Sequence, residues 1–306
     1  VLAEEFDLTV NREDTPRSAG QLRTLLRQHD ALGVTVTDRI DASVLLVEDC
    51  RTKLIANFGV GFNHIDLDAA RRAGISVTNT PGVLTDCTAD LAMTLMLMAA
   101  RRAGEGERQL RAGAWAGWRP THLLGTRVSG KILGIVGAGR IGIATARRAH
   151  HGFGMSILLH SRSAVDPGIV QELAAQTTGL DELLQRSDFV SLHTPSSAET
   201  HHLIDADSLA LMSSDSILIN TSRGDVVDEA ALIAALERGS IAAAGLDVYE
   251  HEPAVPQALL SCENVVALPH LGSATRETRV AMGMRAVANL RSFFAGGSPA
   301  DLLTEN

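Results

Sequence analysis

The sequence predicts an α/β protein made of two doubly wound parallel-sheet domains, one large and one smaller, and three observations predict it. Apolar runs of strand length alternate with helical patterns in two successive series. The second series contains six such runs, enough for a full doubly wound sheet. Its first run feeds a glycine-rich turn, Gly137-Ala138-Gly139-Arg140-Ile141-Gly142, which opens an Ala/Arg-rich helix.

In the first series, residues 31–36 and 54–57 read as strands, 42–48 and 67–73 as helices, and 75–78 as a further strand. That βαβ rhythm implies parallel pairing. One long helix is expected over 88–111, followed by an irregular Gly-, Trp- and Arg-rich connection over 115–130. The second series places strands at 132–136, 156–159, 189–192, 216–220, 243–247 and 265–268. Beyond Thr275, residues Val280, Met284, Val287, Leu290 and Phe294 recur at helical spacing and should form one apolar face. Such a face needs a partner, so the terminal helix is expected to return to the first series. The result would be a discontinuous smaller domain over 1–84 and 277–306, a contiguous domain over 85–276, and a cleft between them. The chain begins at Val1 in what reads as an element already under way, so the smaller domain is expected to lack its first strand.

Composition narrows the function classes. The 306 residues carry a formal charge of −9, with 45% apolar and 21% charged side chains. That balance suits a folded globular protein and argues against nonspecific nucleic-acid binding, which needs excess cation to neutralise phosphates. The most apolar window, residues 91–100, is bounded by Asp90 and Arg101. It is far short of the roughly 20 residues of a membrane span. Three unclustered cysteines, Cys50, Cys87 and Cys262, supply neither a disulfide framework nor a zinc-ligand spacing, so a reducing, cytoplasmic setting is expected. The pairs His150-His151 and His201-His202 lack the i, i+4 zinc pattern and read as surface or packing residues, so no metal is expected.

The glycine-rich turn has the context that gives its pattern meaning, with an apolar strand before Gly137 and a helix after Gly142 whose N-terminal N–H groups can receive a pyrophosphate. Gly137, Gly139, Arg140, Ile141 and Gly142 are therefore candidate dinucleotide contacts. The next strand ends in His160-Ser161-Arg162-Ser163. An NAD site usually presents a carboxylate there to the ribose 2′-hydroxyl, whereas Arg162 with the hydroxyls of Ser161 and Ser163 suits a 2′-phosphate. NADP(H) is expected, with NAD(H) as the second candidate; the bland alternative is that Arg162 is a solvated residue stacking on adenine.

Three polar clusters follow strands: Asn220-Thr221-Ser222-Arg223-Gly224, the segment from Gly245 to Pro253, and Pro269-His270-Leu271-Gly272-Ser273. In open α/β sheets that carboxyl edge is where ligands bind, although each cluster taken alone could be a cap or a loop salt bridge.

The stretches VGFNHID at 60–66 and TPGVLTDCTADLA at 80–92, with GAGRIG, NTSRG, AGLDVYEHEP and LPHLGSAT, resemble the D-isomer-specific 2-hydroxyacid dehydrogenase family in order and over nearly the whole chain. Residues 57–92 and the HSRS turn are most similar to its glyoxylate and hydroxypyruvate reductases. The resemblance implies a Rossmann-like cofactor domain, a smaller flavodoxin-like substrate domain, and a small 2-keto acid or 2-hydroxy acid as substrate. By position, Arg223 would grip the substrate carboxylate and carbonyl, His270 would be the general acid, and Glu252 would orient and charge that imidazole. Glu252 stands five residues after Asp247, leaving Glu250 as an exposed loop carboxylate.

Asp247 would lie near the nicotinamide carboxamide, or else cap its loop. Backbone N–H groups of Val60 and Gly61 would complete the carboxylate site unless their loop is a plain turn. Thr194 and Pro195 match the family's adenosine-side loop, though a Thr-Pro pair after a strand is also a common chain turn; Thr221 and Gly272 are further cofactor-binding candidates, and His193 is not read as the acid. The family's reductases often carry an aromatic residue two positions after the proline of a W-x-P segment, but Trp118-Arg119-Pro120-Thr121-His122 places a histidine there. A homodimer is implied through the Ala- and Met-rich helix, which could equally be internal core. Phosphoglycerate dehydrogenase is the nearest competitor; formate dehydrogenase would replace Glu252 by an amide. The rival from another class is a dinucleotide-sensing corepressor or scaffold on the same fold.

Overall fold

A computed structural model describes residues 2–13 and 15–304. The expectation drawn at Val1 lies outside the described residues. The chain divides into two compact units, Val1–Leu84 with Thr275–Asn306, and Thr85–Ala274.

In the first unit, strands β1 (Ala31–Val34), β2 (Leu54–Asn57) and β3 (Ser76–Thr78) form a parallel sheet in that order. Every residue of β2 is buried, as expected for a central strand covered on both faces. The helices Ala19–Gln28 and Leu67–Arg72 start at Ser18 and Asp66, whose side chains accept N–H bonds from their first turns. The terminal helix Arg276–Phe294 packs on β2.

Its buried face matches the expected one only in part, at buried Val287 and half-buried Leu290. Val280, Met284 and Phe294 are 60%, 45% and 44% exposed, whereas Thr278, Met282, Val287 and Asn289 are buried. The polar members are accommodated by hydrogen bonds: Asn289 Nδ2 donates to the Asn79 carbonyl at 3.1 Å and to Asp301 at 3.0 Å. Satisfied polar groups thus replace part of the apolar stripe.

In the second unit, β4 (Ile132–Val136), β5 (Ser156–His160), β6 (Gln176–Thr177), β7 (Phe189–Leu192), β8 (Ile217–Asn220), β9 (Ala243–Leu246) and β10 (Val265–Ala267) form one parallel sheet. Its order is β10-β9-β8-β7-β4-β5-β6. The direction of winding reverses at β4, which lies between β5 and β7, and a doubly wound sheet opens a ligand crevice at that point. Leu133, Ile135, Phe189 and Ile219 are fully buried in the core on one side of this sheet, and each contributes on the order of 1.5–3 kcal/mol through burial.

The single helix expected over 88–111 is two helices, Thr85–Ala100 and Ala103–Arg111. The Ala100 carbonyl at the break accepts the Thr126 N–H at 2.8 Å, and Arg102 takes a left-handed φ of 51°. A returning segment therefore supplies the stop that local sequence lacks. Among the described residues, no helix is long and apolar enough to cross a membrane.

Candidate active site

The turn after β4 is shaped by three glycines for different reasons. A Cβ on Gly137 would lie 2.7 Å from the His193 carbonyl carbon, and one on Gly142 would lie 2.2 Å from the Gly137 oxygen. Both positions are closed by the protein's own backbone. Gly139 has no neighbouring atom within 4 Å of such a Cβ; it is exposed and caps the helix Arg140–Phe153 with no side chain. Open space in front of uncapped N–H groups is what a dinucleotide pyrophosphate requires, so this turn fits the cofactor.

Nearby strand ends support that fit. The hydroxyls of Thr194, after β7, and Thr221, after β8, are buried without a hydrogen-bond partner among the described residues. Buried hydroxyls are normally satisfied, which marks both as groups waiting for a ligand or water. His160, at the end of β5, accepts the Gly137 N–H on its carbonyl at 2.8 Å. Half-buried Ser161 and exposed Arg162 and Ser163 continue from it, and no carboxylate stands among them. Pro195 and Arg140 are exposed and Ile141 is half-buried. His193 bonds Ser191 at 2.9 Å, and burial depresses its pKa to about 3, so it stays neutral at physiological pH.

Three groups distant in sequence meet beyond β8, β9 and β10. His270 Nδ1 and Glu252 Oε2 are 2.8 Å apart. Arg223 is half-buried and close enough for its charge to act on Glu252. The loops that carry them are locked together by Gly224, where a Cβ would lie 1.9 Å from the Tyr249 carbonyl carbon, so a side chain there would push the two loops apart. Asn220 Nδ2 donates to the Arg223 carbonyl at 2.8 Å, fixing the backbone from which the guanidinium projects.

His270 has a left-handed φ of 56°, a conformation uncommon for a residue other than glycine and one that concentrates at functional sites. Asp247 over-determines it. The Asp247 carbonyl accepts the His270 N–H at 3.0 Å, and its carboxylate accepts the Leu271 and Gly272 N–H groups at 2.6 and 2.8 Å. Thr88 Oγ1 donates to the Gly272 carbonyl at 2.9 Å, a second anchor on the same loop.

The electrostatics separate two carboxyls. Burial pushes Asp247 up, against the two N–H groups that lower it. Burial also pushes Glu252 up, but the His270 hydrogen bond and charge, the Tyr249 N–H and the Arg223 charge prevail, and its pKa ends below the usual value of 4.5. Glu252 is thus an anion at neutral pH. Its pairing with His270 is present above its folded-state pKa and is lost only as pH falls through that value, beneath 4.5. Burial lowers Arg223, with Glu252 and Asp225 opposing, yet a guanidinium starts so high that it remains a cation.

Two contributors lay outside the sequence reading. Tyr249 donates its N–H to Glu252 Oε1 at 3.0 Å and its hydroxyl to the Leu268 carbonyl at 3.0 Å, bracing both loops of the acid–carboxylate pair. Burial raises the Tyr249 pKa to about 12, so that hydroxyl keeps its proton. Buried Glu229 lies 3.5 Å from the Glu250 N–H and supports the same loop. Their signal was weak: a lone tyrosine inside a motif and a helix-start glutamate. Glu250, expected to be exposed, is half-buried and pairs with His202 at 3.1 Å because the 197–203 turn folds over it.

In the first unit, Asn57 Nδ2 donates to the Gly59 and Gly61 carbonyls at 3.2 and 2.9 Å, and Asn79 Nδ2 donates to the Val60 carbonyl at 2.8 Å. The Val60–Gly61 loop is therefore fixed by its own unit. His122 is held within the second unit by Gln109 at 2.6 Å.

Known proteins resemble this chain throughout. Residues 93–272 match the D-isomer specific 2-hydroxyacid dehydrogenase, NAD binding domain. A glyoxylate reductase of Thermococcus litoralis is 46% identical over 99% of this chain and 91% of its own length. One from Korarchaeum cryptofilum is 45% identical, with the same coverage. Among solved structures, a D-isomer specific 2-hydroxyacid dehydrogenase, NAD-binding, from Polaromonas superposes with a TM-score of 0.91 at 40% identity, covering 99% of this chain and 94% of that one. An NADPH-dependent glyoxylate/hydroxypyruvate reductase from Sinorhizobium meliloti, solved with NADP and malonate, gives 0.84 at 37% identity over 94% and 87%. With a Rossmann-like sheet, a nicotinamide-dinucleotide turn and this sequence likeness, the chain belongs to the D-isomer specific 2-hydroxyacid dehydrogenase family.

Proposed function

We propose that the protein reduces small 2-keto acids, glyoxylate and hydroxypyruvate first, to their 2-hydroxy acids, with NADPH preferred over NADH. The observation that carries this reading is the 2.8 Å pair of His270 and Glu252 beside the cationic Arg223, on the same sheet edge as the open Gly139 turn. When bound, the dinucleotide supplies the hydride that reaches the keto carbon. The Arg223 guanidinium holds the substrate carboxylate and carbonyl oxygen through its planar donors and fixes the face presented to the hydride. Nδ1 of His270 is engaged by Glu252, which leaves Nε2 to give its proton to the carbonyl oxygen as the alcohol forms. Glu252 remains an anion and stabilises the charged imidazole before transfer.

In this reading residues 85–276 are the dinucleotide-binding domain, and 1–84 with 277–306 are the substrate-binding domain. The exposed apolar side chains Leu110, Trp115, Trp118 and Leu124 support a homodimer of this cytoplasmic enzyme. Relatives named for glyoxylate reduction support catalysis over the corepressor or scaffold alternative.

The test is a rate comparison of NADPH and NADH with glyoxylate, hydroxypyruvate, pyruvate and longer 2-oxo acids. Turnover of the first two with NADPH is expected; dinucleotide binding without reduction of any acid would favour the sensor. Arg162→Ala should cost NADPH about tenfold or more in kcat/KM, by removing a charged hydrogen bond worth roughly 1.5–3 kcal/mol, while NADH is little affected. Equal losses with both cofactors would remove Arg162 from the 2′-phosphate site. Glu252→Gln should lower kcat for keto-acid reduction about tenfold or more with little change in KM for NADPH, because an amide holds the ring without supplying the anion. An unchanged kcat would leave Glu252 without that role.

A further inference from the structure

Outside the site just described, the described residues place one group of potential metal ligands together. One ligand atom each from His201, His202 and Glu250 lies within 4.8 Å of the others. The rings of His201 and His202 are stacked, with centroids 4.0 Å apart and planes at 28°. Consecutive side chains of an extended segment point to opposite sides, which would forbid this. His202 instead has a left-handed φ of 50°, and its N–H is anchored to the Asp225 carbonyl at 2.8 Å. The chain thus holds both imidazoles on one side of the turn, at a non-glycine residue in an uncommon conformation.

Glu250 comes from a different loop, and its Oε1 is 3.1 Å from His202 Nε2. Tetrahedral donors about 2.1 Å from a zinc ion stand roughly 3.4 Å from one another. The His202–Glu250 edge, at 3.1 Å, is close to that length, and the exposed His201 ring must rotate out of its stack on His202 to turn its nitrogen toward the same ion. Two imidazole nitrogens and one carboxylate oxygen form a borderline-soft set suited to zinc, cobalt or nickel, with water completing the shell.

We infer that His201, His202 and Glu250 bind one divalent transition-metal ion, which clamps the 197–203 turn to the loop that carries Glu252. The ion takes no part in hydride or proton transfer, and the inference does not depend on the proposed substrate. Sequence spacing hides the site because the third ligand lies 48 residues beyond His202.

The experiment titrates the metal-stripped full chain with cobalt(II), followed by its visible absorption, and then displaces the cobalt with zinc. One equivalent per chain is expected, with a zinc-dependent rise in melting temperature. His202→Asn and Glu250→Gln should each weaken binding about tenfold or more and abolish the rise, while a cooperative melt of each metal-free variant reports an intact fold. His270→Asn should leave the titration unchanged. No saturable binding by the wild-type chain would overturn the inference. So would binding that survives His202→Asn and disappears in His270→Asn, which would assign the ion to the His270–Glu252 pair.

Discussion

Replacing Arg223 with alanine is expected to lower kcat/KM for glyoxylate by about 10²–10³-fold, the scale of removing a fixed donor from a developing oxyanion. That is roughly 3–4 kcal/mol of transition-state stabilisation. The loss should be catalytic and not a collapse of the loop, because the backbone there is held by other contacts: Asn220 Nδ2 bonds the Arg223 carbonyl, and Gly224 seats against Tyr249. Arg223→Lys separates charge from shape. It keeps a cation beside Glu252 but loses the planar donors, so its activity should fall between wild type and alanine, with KM rising as the substrate loses its fixed orientation. Steady-state kinetics with saturating NADPH decide the point. A lysine variant equal to wild type would reduce Arg223 to a generic charge, and an alanine variant with little loss would remove it from the substrate altogether.

How far such groups were legible in the sequence depended on whether local chemistry or tertiary contact determined them. Strands β7 and β8 are buried throughout and β4 in all but its first residue, so their apolar runs announce them, and the polar residues that follow mark the ligand edge. Strand β6 escaped because Gln176 and Thr177 are exposed polar residues at the sheet margin, paired with β5. The break at Arg102 has neither glycine nor proline to signal it; Gly125 and Thr126 arrive from more than twenty residues away to cap Ala100. In the terminal helix, periodicity found buried Val287 but also picked exposed Val280, Met284 and Phe294, and it missed Asn289, buried against Asp301 and Asn79, partners invisible to any helical count. Arg223, Glu252 and His270 could be chosen by motif position, but the bracing by Tyr249 required knowing that the Leu268 carbonyl lies within reach of its hydroxyl.

The conformation of His270 decides how its own role should be tested. Alanine is a poorer fit than histidine to a φ of 56° and would confound chemistry with folding, whereas asparagine, like histidine, is enriched in the left-handed region. His270→Asn should therefore keep the loop, whose anchors are the Asp247 carbonyl and carboxylate and do not involve the ring. What disappears is the proton donor, so kcat for keto-acid reduction should fall about 10²–10⁴-fold while the dissociation constant for NADPH, read by fluorescence, stays close to wild type. The remaining rate then depends on water or another unoptimised donor to the carbonyl oxygen. Combining His270→Asn with Glu252→Gln should cost little beyond the histidine change alone, because the carboxylate acts through the ring it no longer has. Full additivity of the two losses would mean that Glu252 meets substrate independently, and an asparagine variant retaining most of the activity would place the proton source elsewhere on the sheet edge.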